Sequence, residues 1–208
     1  MVEKALFSSA SAEWETPQNV FDYLNKTRKF ELDVCATDEN HKCPAYFTKE
    51  NDSFGYAWHK IAKSAFMNPV YGNAEQPCKS DCKKKKCIKR GHHNEKFIPG
   101  IENWMQKAYM EAMHGKMMVT CLVPARTDAI SWWHPYCMKA NEVWLIAGRL
   151  SFINRTLPDY SPSENYKPTP APFPSAIVIF DGLNNVLPAK PVFKTMTINK
   201  KTGEITVY

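Results

Sequence analysis

Residues 101–123, IENWMQKAYMEAMHGKMMVTCLV, place a helix directly before a strand. In the first half, apolar residues recur every three or four positions, as on one face of an amphipathic helix. They are Ile101, Trp104, Met105, Ala108, Tyr109, Ala112 and Met113. Gly115 is a candidate C-cap, and residues 116–123 are almost continuously apolar, which is typical of a strand buried on both faces.

Further strands and helices are predicted on both sides of this unit. Apolar or alternating runs predict strands over residues 30–34, 64–67, 142–147 and 176–180. A helix is predicted over 18–29, with Thr16 as its N-cap and Pro17 in its first turn. A short helix is predicted over 128–140, a Pro-rich surface loop over 157–174, and a C-terminal β-hairpin within 192–208.

The alternation of helix and buried strand predicts an α/β fold with a largely parallel central sheet, in a single domain over residues 1–208. In such sheets, ligands bind at the carboxyl ends of the strands. Three predicted strands are followed there by distinctive segments, namely DVCA at 33–36, NPVY at 68–71 and PART at 124–127. We therefore expect the functional site at this edge.

The composition is that of a globular protein, with 44% hydrophobic residues and a net charge of +6. No apolar run is long enough for a membrane span, and the first residues do not resemble a secretory signal. These features predict a cytoplasmic protein with no membrane partner. Residues 74–97 contain eight Lys or Arg and three Asp or Glu, so this short stretch carries most of the net charge.

The same basic segment, 74–100, contains Cys78, Cys82 and Cys87, followed by His92 and His93. Three cysteines and one histidine at such spacings can bind one Zn²⁺ tetrahedrally, and metal binding would order a segment with few apolar residues. We therefore predict a zinc-finger insertion, with either histidine as the fourth ligand. The alternative is a flexible basic loop with free thiols.

The segment Asn68-Pro69-Val70-Tyr71 differs by one residue from Asn-Pro-Pro-Tyr, the signature of amino-methyltransferases that use S-adenosylmethionine. An exocyclic amino nitrogen is a poor nucleophile because its lone pair is delocalised into the ring. The Asn side-chain oxygen and a backbone carbonyl can accept from this NH₂ group and direct its lone pair to the methyl donor. Proline fixes the loop, and the aromatic ring stacks on the base. The alternative is an ordinary turn after a strand.

Several segments in a fixed order resemble the phage-type DNA N6-adenine methyltransferases, the Dam-like family of phages and prophages. The resemblance covers about residues 12–182, broken by 74–100. It is carried by WETP at 14–17, FELDVCA at 30–36, NPVYG at 68–72, LVPART at 122–127, GRLSF at 148–152 and APFPS at 171–175. It implies a Rossmann-like fold, S-adenosylmethionine as cofactor, and double-stranded DNA as substrate in a bacterial host cell.

The resemblance also implies roles for single residues. Those matching the catalytic loop are Asn68, Pro69 and Tyr71; those matching the cofactor pocket are Trp14, Thr16, Pro17, Asp33, Ala36 and Asp52. One feature departs from many methyltransferases, because residues 33–37 contain no glycine where a Gly-rich loop is common. Asp33 could instead cap a turn, and Trp14 could be a core residue.

Basic residues outside the catalytic loop are candidates for DNA contacts, through phosphates or flanking bases. They are Lys84, Lys85, Lys86, Arg126 and Arg149. For the two arginines, the alternative is a surface salt bridge.

Other functions also fit the motifs, namely an N4-cytosine or RNA amino-methyltransferase, or a non-catalytic zinc-containing DNA-binding protein on a methyltransferase scaffold.

Overall fold

The computed structural model describes residues 14–79, 81–153, 168–183 and 188–208. The helices are α1 (Gln18–Arg28), α2 (Lys85–Arg90) and α3 (Ile101–Gly115). The strands are β1 (Leu32–Asp33), β2 (Ala45–Tyr46), β3 (Ser64–Met67), β4 (Met118–Pro124), β5 (Glu142–Ile146), β6 (Ser151–Phe152), β7 (Thr169–Pro170), β8 (Ser175–Asp181), β9 (Val192–Ile198) and β10 (Ile205–Val207). Short 3₁₀ turns lie at Ser53–Gly55, Trp58–Lys60 and Cys137–Lys139.

Eight of these strands form one sheet in the order β10-β9-β5-β8-β4-β3-β1-β2. The sheet is mixed rather than largely parallel, because four of its seven pairings are parallel and three are antiparallel. The chain leaves β5 and passes through β6 and β7 before it enters β8, which lies between β4 and β5 and runs opposite to both. The predicted α/β class is therefore observed, with a central antiparallel strand that the sequence pattern does not reveal.

The central strands are buried on both faces, which explains their continuous apolar sequences. Along β4, Val119, Cys121 and Val123 belong to the core on the α3 side, whereas Leu122 belongs to the core on the α1 side. The same alternation holds in β3, where Phe66 faces α1 between Ala65 and Met67. Helices α1 and α3 thus cover opposite faces of one sheet.

Three parallel strands end at one edge of the sheet and place the predicted site segments beside one another. Strand β1 pairs with β3, and β3 pairs with β4, all in the same direction. Because β8 is antiparallel to β4, its first residue, Ser175, lies opposite Pro124 at that same edge. The segments after β1, β3 and β4 therefore meet the segment that precedes β8.

Three local predictions need correction. The segment 128–140 forms successive turns and the 3₁₀ turn Cys137–Lys139 instead of an α-helix; Pro135 lacks the N–H that a helix requires. The N-cap of α1 is Pro17 rather than Thr16. In the predicted loop over 157–174, Thr169–Pro170 forms β7, and residues 154–167 lie outside the described ranges.

The C-terminal strands β9 and β10 pair as an antiparallel hairpin at the edge of the sheet. The insertion includes the short helix α2, which the sequence pattern does not indicate. In the part of the chain that the structure describes, no helix has the length and apolarity needed to cross a membrane.

Candidate functional site

The Asn68 side chain lies directly after β3, and both of its N–H groups are held by the protein. Its Nδ2 donates to the carbonyl oxygen of Trp14 at 2.5 Å and to Oγ1 of Thr16 at 3.0 Å. Because an amide has one donor side and one acceptor side, these two bonds fix which way the group is turned. Oδ1 is consequently left as the acceptor that the loop can offer to a partner.

Tyr71 occupies the other side of this amide. Its hydroxyl lies 2.5 Å from Oδ1 of Asn68 and 3.3 Å from the carbonyl oxygen of Leu122. Burial raises the pKa of Tyr71 well above its ordinary value, so the hydroxyl stays protonated and donates. Its ring packs edge-on against Phe173 with a centroid separation of 5.4 Å. The segment 68–71 thus presents two hydrogen-bonded polar side chains, Asn68 and Tyr71, beside the aromatic ring of Phe173.

The segment that contains Trp14 is itself fixed by strand-like and ionic contacts. Glu15 forms an antiparallel bridge with Ile153, and its carboxylate accepts from Lys42 Nζ at 3.1 Å. Both side chains of this ion pair are 8% exposed. The Trp14 ring packs edge-on against Phe152 and Phe173. Trp14 is therefore part of the same aromatic wall as Tyr71.

Asp33 ends β1 and is buried, with 3% of its surface exposed. Its two carboxylate oxygens accept the backbone N–H groups of Cys35, at 3.2 Å, and Lys42, at 3.1 Å. Burial raises the pKa of Asp33 to about 6, although these two hydrogen bonds and the charge of Lys42 oppose the shift. Asp33 thus organises the loop after β1, and its carboxylate is poorly stabilised by the protein alone.

Other residues predicted to bind the cofactor lie around this loop at different depths. Ala36 is buried, and its N–H donates to the carbonyl of Phe47. Pro17 is half-buried at the start of α1. Asp52 is exposed and caps the turn at Ser53–Gly55 by accepting from the N–H of Phe54. The structure brings Trp14, Thr16 and Asn68 into direct contact, whereas Asp52 contacts the turn that it caps.

A cavity of about 330 Å³ opens beside the segment 68–71. Its aromatic walls are Tyr71, Trp132 and Phe173, and Arg126 adds a positive charge. Volumes of this order accommodate small ligands. Trp133 is buried in the core on the α3 side, whereas Trp132 both packs in that core and lines the cavity. The adjacent His134 is exposed.

The two candidate DNA-contacting arginines lie on loops after β4 and β5. The guanidinium of Arg126 forms a two-point ion pair with the carboxylate of Asp128, with both N–O distances 2.9 Å. Arg149 is exposed in the turn before β6. Arg126 therefore forms the surface salt bridge that was the alternative to a DNA contact, and it also lines the cavity. Arg149 is exposed and could reach a partner.

The insertion gathers four of its five candidate metal ligands at one point. The ligand atoms of Cys78, Cys82, Cys87 and His93 all lie within 4.8 Å of one another. The pKa of Cys78 is lowered to about 6, mainly by a hydrogen bond with His93. The pKa of Cys87 is raised, mainly by burial and further by the neighbouring thiols of Cys78 and Cys82. His92 is outside this group. Lys84, Lys85 and Lys86 are exposed on the same module.

Sequence reasoning did not identify several residues that shape the site. The sequence pattern gives little indication that Phe152 and Phe173 pack beside Tyr71, because Phe152 lies in a two-residue strand and Phe173 in a loop. The buried ion pair of Glu15 and Lys42 joins residues that are far apart in sequence. A lysine inside a polar, irregular segment gives no indication that it will be buried, so this contact requires the structure.

Comparison with known proteins relates this chain to adenine methyltransferases. Residues 5–185 match the family model described as DNA N-6-adenine-methyltransferase (Dam). The DNA N-6-adenine-methyltransferase of Haemophilus phage HP1 (strain HP1c1) is 25% identical over 159 residues, covering 74% of this chain and 73% of that protein.

The protein with the same description from Escherichia phage T1 is 31% identical over 85 residues, which cover 40% of this chain. That match spans 33% of the T1 protein's own length. The family match, by contrast, extends over most of this chain, from residue 5 to residue 185. The chain belongs to the DNA N-6-adenine-methyltransferase (Dam) family.

Proposed function

We propose that this protein transfers a methyl group from S-adenosylmethionine to N6 of adenine in double-stranded DNA, on a Rossmann-like methyltransferase fold. The family match and the two phage relatives named for this reaction support the proposal. Their phage origin also supports action in the cytoplasm of a bacterial host.

The observation that carries the proposal is the orientation of the Asn68 amide. Its NH₂ group is occupied by Trp14 and Thr16, so Oδ1 remains as an acceptor with two lone pairs, one of which faces the Tyr71 hydroxyl. The free lone pair can accept from an exocyclic amino group. Among the described residues, no backbone amide donates to the Pro69 carbonyl, which supplies a second acceptor.

These acceptors would act on the target base as follows. Two hydrogen bonds from the N6 amino group to Asn68 and Pro69 would fix its position and favour a pyramidal nitrogen. S-adenosylmethionine would supply the methyl group from its sulfonium sulfur and leave as neutral S-adenosylhomocysteine, and the surplus proton on the methylated nitrogen would pass to water. The aromatic walls of the neighbouring cavity would hold a base that has been rotated out of the duplex.

The residues around Asp33 fit S-adenosylmethionine, which supplies a methyl group already activated on a sulfonium sulfur. Asp33 is a buried carboxylate whose pKa is raised to about 6, so a nearby cationic ammonium would stabilise its charged form. The segment 14–17 is tied both to the Asp33 loop, through Lys42, and to Asn68. We therefore assign Trp14, Thr16, Pro17, Asp33 and Ala36 to the cofactor pocket, with Asp52 at its exposed margin.

Val70, which replaces the second proline of the motif, is 40% exposed. Its side chain therefore points away from the buried part of the loop. Pro69 is buried beside it and keeps the backbone restriction where the carbonyl acceptor lies. We therefore expect the loop to tolerate valine at this position.

The test is to incubate duplex DNA made by PCR, which carries no methylated bases, with the protein and S-adenosylmethionine. The DNA is then digested and its nucleosides are analysed by mass spectrometry. We expect N6-methyldeoxyadenosine from the wild type and none from Asn68→Ala, with circular dichroism showing that the variant is folded.

Other outcomes would select a rival function. N4-methyldeoxycytidine in place of the adenine product would identify a cytosine enzyme, and methylation of RNA alone would identify an RNA enzyme. DNA binding without any methylated product would support the non-catalytic reading. Equal activity in Asn68→Ala would refute the role given to this residue.

A further inference from the structure

The sulfur atoms of the insertion are spaced as the ligands of a tetrahedral zinc ion are. Ligands bound at about 2.3 Å from zinc in a regular tetrahedron lie about 3.8 Å apart. The Sγ of Cys87 lies 3.6 Å from that of Cys78 and 3.8 Å from that of Cys82. None of these cysteines forms a disulfide. Three thiols and an imidazole nitrogen form a donor set that suits zinc rather than calcium or magnesium.

The backbone explains why His93 joins the thiols. Cys87 lies in α2, and the helix ends at Gly91 with φ at +76°, a left-handed conformation that glycine adopts readily. The chain reverses there and returns toward Cys87 within two residues. His93 thereby reaches the sulfur cluster, whereas His92 does not belong to it.

The described residues of the insertion form no hydrophobic core that would hold it together. Among its described residues from 75 to 97, the buried side chains are those of Cys87 and Asn94. Its large apolar side chains are exposed to solvent, with Ile88 69% exposed and Phe97 44% exposed. A module of this size without a core requires another source of folding free energy, and a structural metal supplies it.

The cluster is connected to the rim of the cavity through Glu75. The carboxylate of Glu75 pairs with Lys86 of α2 at 2.9 Å and accepts from Asn94 Nδ2 at 2.8 Å. The carbonyl of Asn94 accepts from the N–H of Cys78. Glu75 also bridges to Ile98 as the stem of the insertion, and the adjacent Ala74 lines the cavity.

The surface of the module is strongly basic. Its exposed lysines include Lys79, Lys83, Lys84, Lys85 and Lys89. Several lysines on one ordered surface can neutralise DNA phosphates and release counterions, which produces affinity that depends on salt and not on sequence. Because the stem borders the cavity, such a surface would lie near a duplex whose rotated base occupies that cavity.

We propose that Cys78, Cys82, Cys87 and His93 bind one structural Zn²⁺, and that this metal orders the insertion as a DNA-backbone-binding module beside the cavity. The metal assignment stands on the ligand geometry alone. The DNA assignment rests on the proposed function, so the two are tested separately.

The metal is tested on the full chain, purified without chelators and analysed by inductively coupled plasma mass spectrometry. We expect about one zinc per chain in the wild type and in His92→Ala. His93→Ala should lose its zinc to a weak chelator that leaves the wild type loaded, and Cys78→Ser/Cys87→Ser should hold none. Wild-type protein with well under one zinc per chain, or equal losses in the two histidine variants, would overturn the assignment.

DNA binding is measured by fluorescence anisotropy with a duplex at several salt concentrations, without any methylation assay. Lys83→Ala/Lys84→Ala/Lys85→Ala should keep its zinc, bind DNA more weakly and reduce the slope of log K against log salt by about two to three. The matched control is Lys26→Ala/Lys60→Ala/Lys63→Ala, whose lysines are also exposed but precede β1 or β3 in the chain and lie outside the insertion. Equal slopes in the two triple variants would refute the DNA assignment and leave both the zinc site and the methyl transfer untouched.

Discussion

The hydroxyl of Tyr71 donates to Oδ1 of Asn68 at 2.5 Å, so the two side chains that we assign to catalysis bind each other in the free protein. An incoming amino group must share this oxygen with the hydroxyl or displace it. The hydroxyl and the ring of Tyr71 therefore have separable roles.

Replacement of Tyr71 tests this separation. Tyr71→Phe keeps the ring against Phe173 and should retain kcat/KM within about tenfold, whereas Tyr71→Ala removes the stacking surface and should lower it by a further 10- to 100-fold or so. The measurement is steady-state transfer of radiolabelled methyl groups to duplex DNA. Equal losses in the two variants would show that the hydroxyl, and not the ring, is the contribution that matters.

Thr16 should act as a positioning residue for Asn68. Thr16→Val preserves the shape of this buried side chain but removes the oxygen that accepts from Asn68 Nδ2. We expect kcat to fall by about tenfold, because loss of one hydrogen bond loosens the orientation of the amide. The KM for DNA should change little, and Thr16→Ser should restore most of the rate. A variant that loses only cofactor affinity would assign Thr16 to the pocket alone.

Cofactor affinity should depend on the ionisation of Asp33. Its pKa is about 6, above the ordinary value, so the carboxyl becomes neutral as the pH falls below 6 and ceases to attract an ammonium. The Kd of S-adenosylhomocysteine, measured by calorimetry from pH 5.5 to 8, should be constant above pH 7 and rise below pH 6. Asp33→Asn should bind weakly at every pH; a wild-type Kd that is flat across the range would contradict the assignment.

The same shift has a consequence for folding. An acid whose pKa is higher in the folded state than in the unfolded state favours folding when it is protonated. The contribution of Asp33 to stability is therefore greatest at low pH and is lost as the pH rises through about 6. The free protein thus carries a destabilising buried charge at neutral pH, which a bound cation would relieve.

Glu111 should stabilise the face of the sheet that lies opposite α1. Its buried carboxylate accepts from the ring and the backbone N–H of His59 and from Lys107 Nζ. Burial raises the pKa of Glu111, but these hydrogen bonds outweigh it and hold the pKa below its ordinary value. We expect Glu111→Gln to lower the free energy of unfolding by about 1–3 kcal/mol in urea titrations. Glu50→Gln, at an exposed position, is the control and should be nearly neutral.

Gly100 should control the junction of the insertion with the cavity. A Cβ on Gly100 would lie 2.2 Å from the backbone nitrogen of Ala74, whereas one on Gly72 would meet nothing within 4 Å. Gly100→Ala should destabilise the protein by about 1–3 kcal/mol and lower methylation, since the stem must move. Its zinc content should stay at the wild-type level. Gly72→Ala is the matched control, and similar effects of both would show that the close approach is unimportant.

The elements that the sequence predicts are those whose pattern is local. The apolar stripe of α3 and the continuous apolar run of β4 identify both elements, because burial on one or both faces produces a recognisable pattern of apolar residues. The direction of β8 cannot be predicted in this way, since a strand buried on both faces has the same apolar pattern whether it runs parallel or antiparallel. The turns around Trp132 also mislead, because the aromatic residues suggest a helix that Pro135 then prevents.

The site shows the same division. The segment 68–71 is recognisable because its chemistry requires particular residue types at adjacent positions. The sequence assigns Thr16 to the cofactor pocket but does not reveal that it also accepts a hydrogen bond from Asn68. The two residues are 52 positions apart, and a contact over this distance leaves no local pattern. The choice of His93 over His92 depends on a single backbone reversal at Gly91, which spacing alone does not decide.

The place of β8 between β4 and β5 also sets the order in which the protein can be assembled. Strands β4 and β5 precede it in the chain, and each uses β8 as its neighbour. A nascent chain emerging from the ribosome therefore presents the unpaired edges of two apolar strands until residue 181 has been synthesised. Unpaired edges of apolar strands favour pairing with other chains, so we expect the polypeptide to be most prone to aggregation during this interval.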